Sequence, residues 1–313
     1  KLLMSHPLTS SAMAPEQWGV GTITVMVALA AAVWGLYWVP LRQLDAAGLG
    51  PAWAAVFITA VPLPLIAWFA WYKRAGTQVD PKQILIVGFC VGGGMLLYAF
   101  GLVYSSVIRA TLLFYLTPIW GTFIGWLWLQ EFIGVKRWVA IALGLIGLVA
   151  LLNPGAQLAV PLNIGDAFGL ASGVLWAIGS ASLKRYRELP LHLSLGAQYS
   201  LAVVLGVTLA LWLEPLPGGE IVDWTKAAWV SAGFGCLVIL PTLYALMWCA
   251  QRIAPGRLGL LMMSEVVVAV VSAALFLPQE TLSIVEWAGV VLIICAGVVE
   301  VRTRDAKAVP EST

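Results

Sequence analysis

The sequence predicts an all-α membrane protein of ten transmembrane helices, arranged as two inverted five-helix repeats with both termini cytoplasmic. Three observations carry that expectation. Apolar residues fill 61% of the 313 positions and charged residues only 10%, whereas a soluble domain carries roughly 25% charge. Ten apolar runs of about membrane-spanning length follow one another between short polar breaks. Of the 17 lysines and arginines, 14 fall on one side of the bilayer those runs define.

A hydrocarbon core of ~30 Å requires about 20 apolar residues at 1.5 Å rise each. The stretch Lys1–Gln17 is a tail without the apolar run of a signal peptide. Val20–Leu41 then ends at Arg42, and Ala52–Tyr72 ends at Lys73-Arg74. Ile84–Tyr104 follows Asp80-Pro81-Lys82, and Ala110–Leu129 lies between Arg109 and Gln130-Glu131. Trp138–Leu152 starts after Lys136-Arg137, and Ala167–Leu183 stops at Lys184-Arg185. Leu191–Leu213, Ala227–Ala250, Leu258–Leu277 and Ile284–Val299 complete the series. On this count Arg42, Arg109 and Lys226 are the three basic residues on the minority side. The positive-inside rule therefore places both termini in the cytoplasm, and the expected location is a bacterial inner membrane.

The chain also repeats itself. Leu97-Tyr98-Ala99 recurs as Leu243-Tyr244-Ala245, an offset of 146, and Gln130-Glu131 recurs as Gln279-Glu280, an offset of 149. Trp138 and Trp287 share the latter offset, while Trp34 with Leu41-Arg42 matches Trp176 with Leu183-Lys184 at 142. The common order predicts a tail over 1–17, a first repeat over 18–153, a second over 154–301 and a cytoplasmic tail over 302–313. Five helices is an odd number, so the second repeat must be inverted. Inverted repeats are a recurrent architecture of secondary transporters, which hold their substrate near the midplane between the halves.

The stretch Ser106-Val-Ile-Arg-Ala-Thr-Leu-Leu-Phe-Tyr-Leu-Thr-Pro-Ile-Trp120, continuing to Leu129-Gln-Glu131, resembles the EamA half-domain of the drug/metabolite transporter superfamily. Ala32-Val-Trp34-Gly35 is similar to the Trp-Gly of that family's first helix. The resemblance runs from about Val20 to Val301, and within the family it is strongest to YddG-type exporters of aromatic amino acids. It implies ten spans, cytoplasmic termini and export of amino acids. The second half departs from the pattern, since Val267 stands where Pro118 has its counterpart and Glu265 sits nearby.

The residues themselves suggest where a solute could bind. Trp34, Tyr37 and Trp38 share a helix face by i, i+3, i+4 spacing, and Ser172, Trp176 and Ser180 form a second stripe in the inverted counterpart. Tyr98, Tyr115 and Tyr244 add phenol hydroxyls at depth, which need partners when buried. These positions are the expected substrate-binding set, with core packing as the plainer use of each ring. Glu265, about eight residues into its span, is the one carboxylate placed near mid-depth. It is either a proton or cation site or a buried, protonated side chain bonded to a neighbouring helix. Pro118 and Pro241 are expected kinks, suited to gating and equally to static bends. The Gly92-Gly93-Gly94 run either brings helices close or opens the backbone to a ligand. Gly144 and Gly147 in the fifth helix offer a buttress or a dimer face.

Several function classes are excluded or demoted. No Lys or Arg lies at mid-depth, so phosphate-bearing substrates lack the clamp they normally meet. No His-Glu metal pair, Gly-x-Ser-x-Gly or aspartate cluster marks an enzyme, a metal site or a cofactor. The four cysteines all sit in apolar runs and read as small buried hydrophobes. The expected partners are the bilayer, a small solute such as an amino acid and, at Glu265, a proton. The competing reading is a multidrug or organic-cation exporter with Glu265 as counter-ion.

Overall fold

The computed structural model describes residues 19–73, 79–105, 107–152, 161–217, 222–268, 271 and 283–302. Every regular element among them is helical. The first half holds α1 (Val20–Trp34), α2 (Trp38–Asp45), α3 (Pro51–Ala60), α4 (Leu63–Lys73), α5 (Pro81–Tyr104), α6 (Val107–Phe114), α7 (Thr117–Leu129) and α8 (Val135–Leu152). The second holds α9 (Ile164–Arg185), α10 (Leu191–Leu213), α11 (Trp224–Val230), a π-helix (Ser231–Ile239), α12 (Leu240–Ala250), α13 (Pro255–Met262) and α14 (Ile284–Val301).

Eight described segments are long and apolar enough to cross a bilayer, and they coincide with the first eight predicted spans. The ninth predicted span is described through 268, helical except for a turn at Met263, most of the remainder lying outside the described residues. The tenth coincides with α14.

Local chemistry explains where these helices begin and break. Pro81 occupies the first turn of α5, where no N–H is needed, and the Asp80 side chain accepts from the Lys82 amide at 2.9 Å. Asn163 and Asp166 form a reciprocal capping box at the start of α9, as Ser283 and Glu286 do for α14. The first span breaks at 35–37, the second at 61–62 and the fourth at 115–116. Proline accounts for the last two: Pro62 sits in one turn and Pro118 follows the other. Pro118 cannot donate to the Phe114 carbonyl four residues back, and the Thr117 hydroxyl donates to it instead. In the eighth span Pro241 follows the π-helix, where the Leu240 amide reaches back five residues to the Gly235 carbonyl.

The core is organised around α5, the most enclosed of the eight candidate spans, which packs against α9 and α10. A Cβ on Gly94 would lie 2.9 Å from the Trp176 nitrogen of α9, and one on Gly92 would collide with the Gln198 carbonyl of α10. The Gly92–Gly94 run therefore serves close helix approach. Gly147 of α8 faces Gly289 and Leu292 of α14, so this glycine is used for packing within the chain. Among the cysteines, Cys90 and Cys249 are buried as expected, Cys236 is half-buried, and Cys295 instead lies exposed on the outer face of α14.

Ion pairs mark both ends of the bundle. At one end, called here the basic end, Lys184 of α9 bonds Glu131 at 2.6 Å and Arg137 lies 3.4 Å from Glu300. At the other, Arg109 of α6 pairs with Asp166 of α9 at 2.5 Å, and Ser105 bonds the second oxygen of that carboxylate. Asp166 and Lys184 are 18 residues apart on one unbroken helix, so the two clusters are separated by about 27 Å.

Candidate functional site

A small pocket lies at the junction of the halves. Its walls are Trp34 from α1, Met95 and Tyr98 from α5, Phe114 from α6, Trp176 from α9, Leu243 and Leu246 from α12, and Met262 from α13. The free space is about 20 Å³, room for roughly one water. The rings pack closely: Tyr98 and Phe114 have centroids 4.4 Å apart, and Phe114 meets Tyr115 edge-on at 5.0 Å.

The polar centre of this region is Glu265, in the helical stretch 264–268 that follows the turn at Met263. Its carboxylate is buried. The Tyr115 hydroxyl donates to one oxygen at 2.6 Å, with the Met262 carbonyl 2.9 Å away as its alternative acceptor. The Tyr98 hydroxyl donates to the other oxygen at 3.2 Å. A carboxylate of the second half is thus held by two phenols of the first. The Trp176 indole N–H is also buried and meets no acceptor among the described residues. The region therefore offers a carboxylate, an unsatisfied donor and aromatic walls, which suits a solute with a cationic group, an acceptor and an apolar body.

Two other recesses adjoin it. One, of about 170 Å³, lies between the first-span break and the π-helix and is walled by Trp34, Tyr37, Phe234 and Val238. Trp34 is shared with the central pocket and stacks on Tyr37, centroids 5.0 Å apart and planes at 18°. The other, about 370 Å³, runs between α1, α13 and α14, and its lining is apolar apart from Thr24, Ser264 and Arg302. Its described lining holds no carboxylate, so the smaller pocket beside Glu265 is the better candidate site.

The expected site residues divide as follows. Trp34, Tyr98 and Trp176 wall the central pocket, while Glu265 and Tyr115 stand behind that wall, Glu265 accepting from Tyr98 at 3.2 Å and from Tyr115 at 2.6 Å. Tyr37 faces the side recess. Trp38, beyond the break, is half-buried under the Arg42 guanidinium at 5.1 Å. Ser180 is buried one turn past Trp176, and its hydroxyl returns to the Ala177 carbonyl at 3.0 Å. Tyr244 does not join the pocket, being 40% exposed on the far side of α12. The buried face of α12 runs through Leu243, Leu246 and Met247, and Tyr244 lies about 100° round the helix from Leu243. Leu243 and Leu246 take the wall positions instead, at an offset of 148 from Met95 and Tyr98. The Leu-Tyr-Ala match at 146 is thus a likeness of letters that the geometry does not follow. Met95 and Phe114 were missed; Met95 lies one turn before Tyr98 on the same helix face, which is the signal that could have found it. Asp166, by contrast, gave no signal beyond its place at a span end.

Comparison with known proteins agrees with this architecture. The EamA-like transporter family model matches residues 21–153 and again 163–300. A Bacillus subtilis (strain 168) protein named uncharacterized transporter YoaV is 25% identical over 284 residues, covering 85% of this chain and 91% of the relative. A riboflavin transporter of Vibrio cholerae is 37% identical over 126 residues, 40% of this chain and 41% of that protein. One solved crystal structure, 18% identical, superposes with a TM-score of 0.68 over 89% of this chain and 97% of its own, which speaks to fold alone.

Proposed function

The chain belongs to the EamA-like transporter family, with one family unit in each half, and on that premise we propose that it exports amino acids with aromatic or hydrophobic side chains. Transport proceeds by alternating access about the pocket between the repeats, in a ten-span protein with both termini cytoplasmic. The observation that carries this reading is the Glu265 carboxylate held by Tyr98 and Tyr115 at the edge of an aromatic pocket. A substrate ammonium takes the place of the phenol protons on Glu265. Its carboxylate accepts from the Trp176 N–H, and its side chain lies among Trp34, Phe114 and Leu246. At 20 Å³ the pocket is closed on itself, so substrate enters only as α1, α6 and α12 move apart. The breaks at 35–37 and 115–116 and the π-helix supply places to bend.

One observation favours a second reading. The carboxylate behind the pocket's wall is Glu265, and no Lys or Arg lines the pocket among the described residues, which also suits organic cations. The two readings separate in proteoliposomes loaded with labelled phenylalanine, tryptophan, alanine, riboflavin or methyl viologen, with and without a pH gradient. Saturable phenylalanine and tryptophan flux exceeding that of alanine is expected. Viologen flux that requires the gradient and vanishes in Glu265→Gln, without amino-acid flux, replaces this proposal with a proton-coupled cation exporter. Riboflavin flux alone removes both.

A further inference from the structure

The recess of about 370 Å³ between α1, α13 and α14 shares no lining residue with the central pocket. It opens towards the outside of the bundle: Ile294 and Val298 on its α14 side are exposed, while Leu260 and Leu261 of α13 are buried in its floor. Small residues hollow it out. Ala28 stands on the α1 side, and a Cβ on Gly297 of α14 would meet no atom within 4 Å. Ser264 turns its hydroxyl to the Leu261 and Ala28 carbonyls, at 3.0 and 3.1 Å, and so presents no free donor to the space.

The one cation in its described lining gives the recess a direction. Arg302, directly after α14, lies two residues beyond the Glu300 that pairs with Arg137, and therefore at the basic end. Arg302 is exposed and makes no ion pair among the described residues. From there the recess runs along α14 to Ile293, nine residues or about 13 Å deeper. One leaflet of a ~30 Å hydrocarbon core is about 15 Å deep. The space equals roughly 12 waters at ~30 Å³ each, yet Thr24 and Ser264 are the only polar residues of its described lining besides Arg302, so water fills it poorly. An apolar slot as deep as one leaflet, with a cation at headgroup level, has the polarity of a lipid.

We propose that this recess binds an anionic phospholipid of the leaflet at the basic end, with one acyl chain between α1, α13 and α14 and the headgroup on Arg302. A guanidinium fork can hold two phosphate oxygens at once, and a net negative headgroup leaves no ammonium of its own to compete for them. A lipid fits better than a transported solute, because the charge stands at the surface and the depth is apolar. Ser264 bonds α1 on the floor of the slot and precedes Glu265 in the chain, so the bound acyl chain braces the helix that carries Trp34 against the segment that carries the carboxylate. The site lies outside the transport pocket, and the inference holds whichever solute is carried.

The full chain, purified in dodecyl maltoside, is titrated with dioleoyl phosphatidylglycerol or dioleoyl phosphatidylcholine, and bound lipid is counted by native mass spectrometry. The parent is expected to hold phosphatidylglycerol about fivefold more tightly than phosphatidylcholine, the equivalent of about 1 kcal/mol for one basic residue at an anionic headgroup. Arg302→Gln removes that preference and Arg302→Lys largely keeps it; neither change touches a helix interior. Gly297→Leu, whose side chain projects into open space, lowers the binding of both lipids at least fivefold, and SDS titration checks that the variant folds like the parent. Equal binding of the two lipids by the parent, or a preference that survives Arg302→Gln, overturns the headgroup assignment. Lipid binding unchanged by Gly297→Leu overturns the slot. Dimers that Gly297→Leu dissociates, without bound lipid, give this face to a second copy of the chain and overturn the inference as well.

Discussion

Replacing Gly94 with alanine should weaken the protein and disturb its pocket, whereas the same change at Gly93 should do neither. A Cβ at Gly94 lies 2.9 Å from the Trp176 nitrogen, 3.2 Å from the Ser172 carbonyl oxygen and 3.3 Å from the Trp176 Cα. All three are backbone atoms of α9 and cannot swing aside. Carbon contacts relax near 3.5–4.0 Å, so α9 must retreat by about 0.5 Å, and Trp176 moves with it. Overpacking of this kind costs about 1–3 kcal/mol, against which alanine regains up to about 1 kcal/mol of helix propensity. The net expectation is a loss of about 0.5–2 kcal/mol. At Gly93 the added methyl meets the Leu175 Cδ1 at 3.1 Å and the Leu205 Cδ2 at 3.8 Å, both flexible tips. The propensity gain then dominates, and the variant should match the parent or exceed it by about 0.5 kcal/mol. Unfolding in mixed micelles of increasing SDS fraction measures the difference, and Trp fluorescence reports the pocket. Equal losses at both positions would mean that α5 does not meet α9 in this register.

Glu265→Gln should lower kcat/KM for amine-bearing substrates by roughly 10–100-fold, the worth of a charge-assisted hydrogen bond, with little change in unfolding; parallel flux and SDS titrations read both. Tyr115→Phe leaves the Glu265 oxygen without its 2.6 Å donor, so stability should fall by about 1–3 kcal/mol, while Tyr98→Phe, removing a contact of 3.2 Å, should cost less in the same titration. Gly147→Leu should drive α14 off α8 and reduce yield and stability, since a Cβ there already stands 2.8 Å from Leu292 and 2.9 Å from the Gly289 carbonyl. A double-mutant cycle on Lys184 and Glu131 should return no more than about 1 kcal/mol, because Lys184 is 30% exposed.

Most of the fold was legible because the bilayer makes apolar length a direct signal. The first eight predicted spans differ from the described segments only at their ends. The helix breaks were less legible. Pro118 announced its own, but nothing in Gly35-Leu36-Tyr37 distinguishes a broken helix from a continuous one. Trp34, Tyr98, Trp176 and Glu265 could be found from depth and spacing, since an acid or a polar aromatic in an apolar run has few uses. The π-helix could not, because it is a property of hydrogen bonding among Ser231–Ile239 that leaves composition unchanged. The Arg109–Asp166 pair was concealed for another reason: both residues sit at span ends, where charge is ordinary, and only tertiary contact shows that they are buried.

The division of the Glu265 cluster between the halves bears on how the chain is made. Synthesis runs from the N-terminus and domains form largely as units, so Tyr98 and Tyr115 enter the membrane some 150 residues ahead of the carboxylate they bind. When Glu265 emerges, its hydroxyl partners are already in place, and an acid that would be costly to leave against lipid finds a polar berth on arrival. The reverse gene order would insert the carboxylate first and leave it waiting. A second half expressed alone should accordingly insert poorly, and co-expression of residues 18–153 as a separate chain should rescue it.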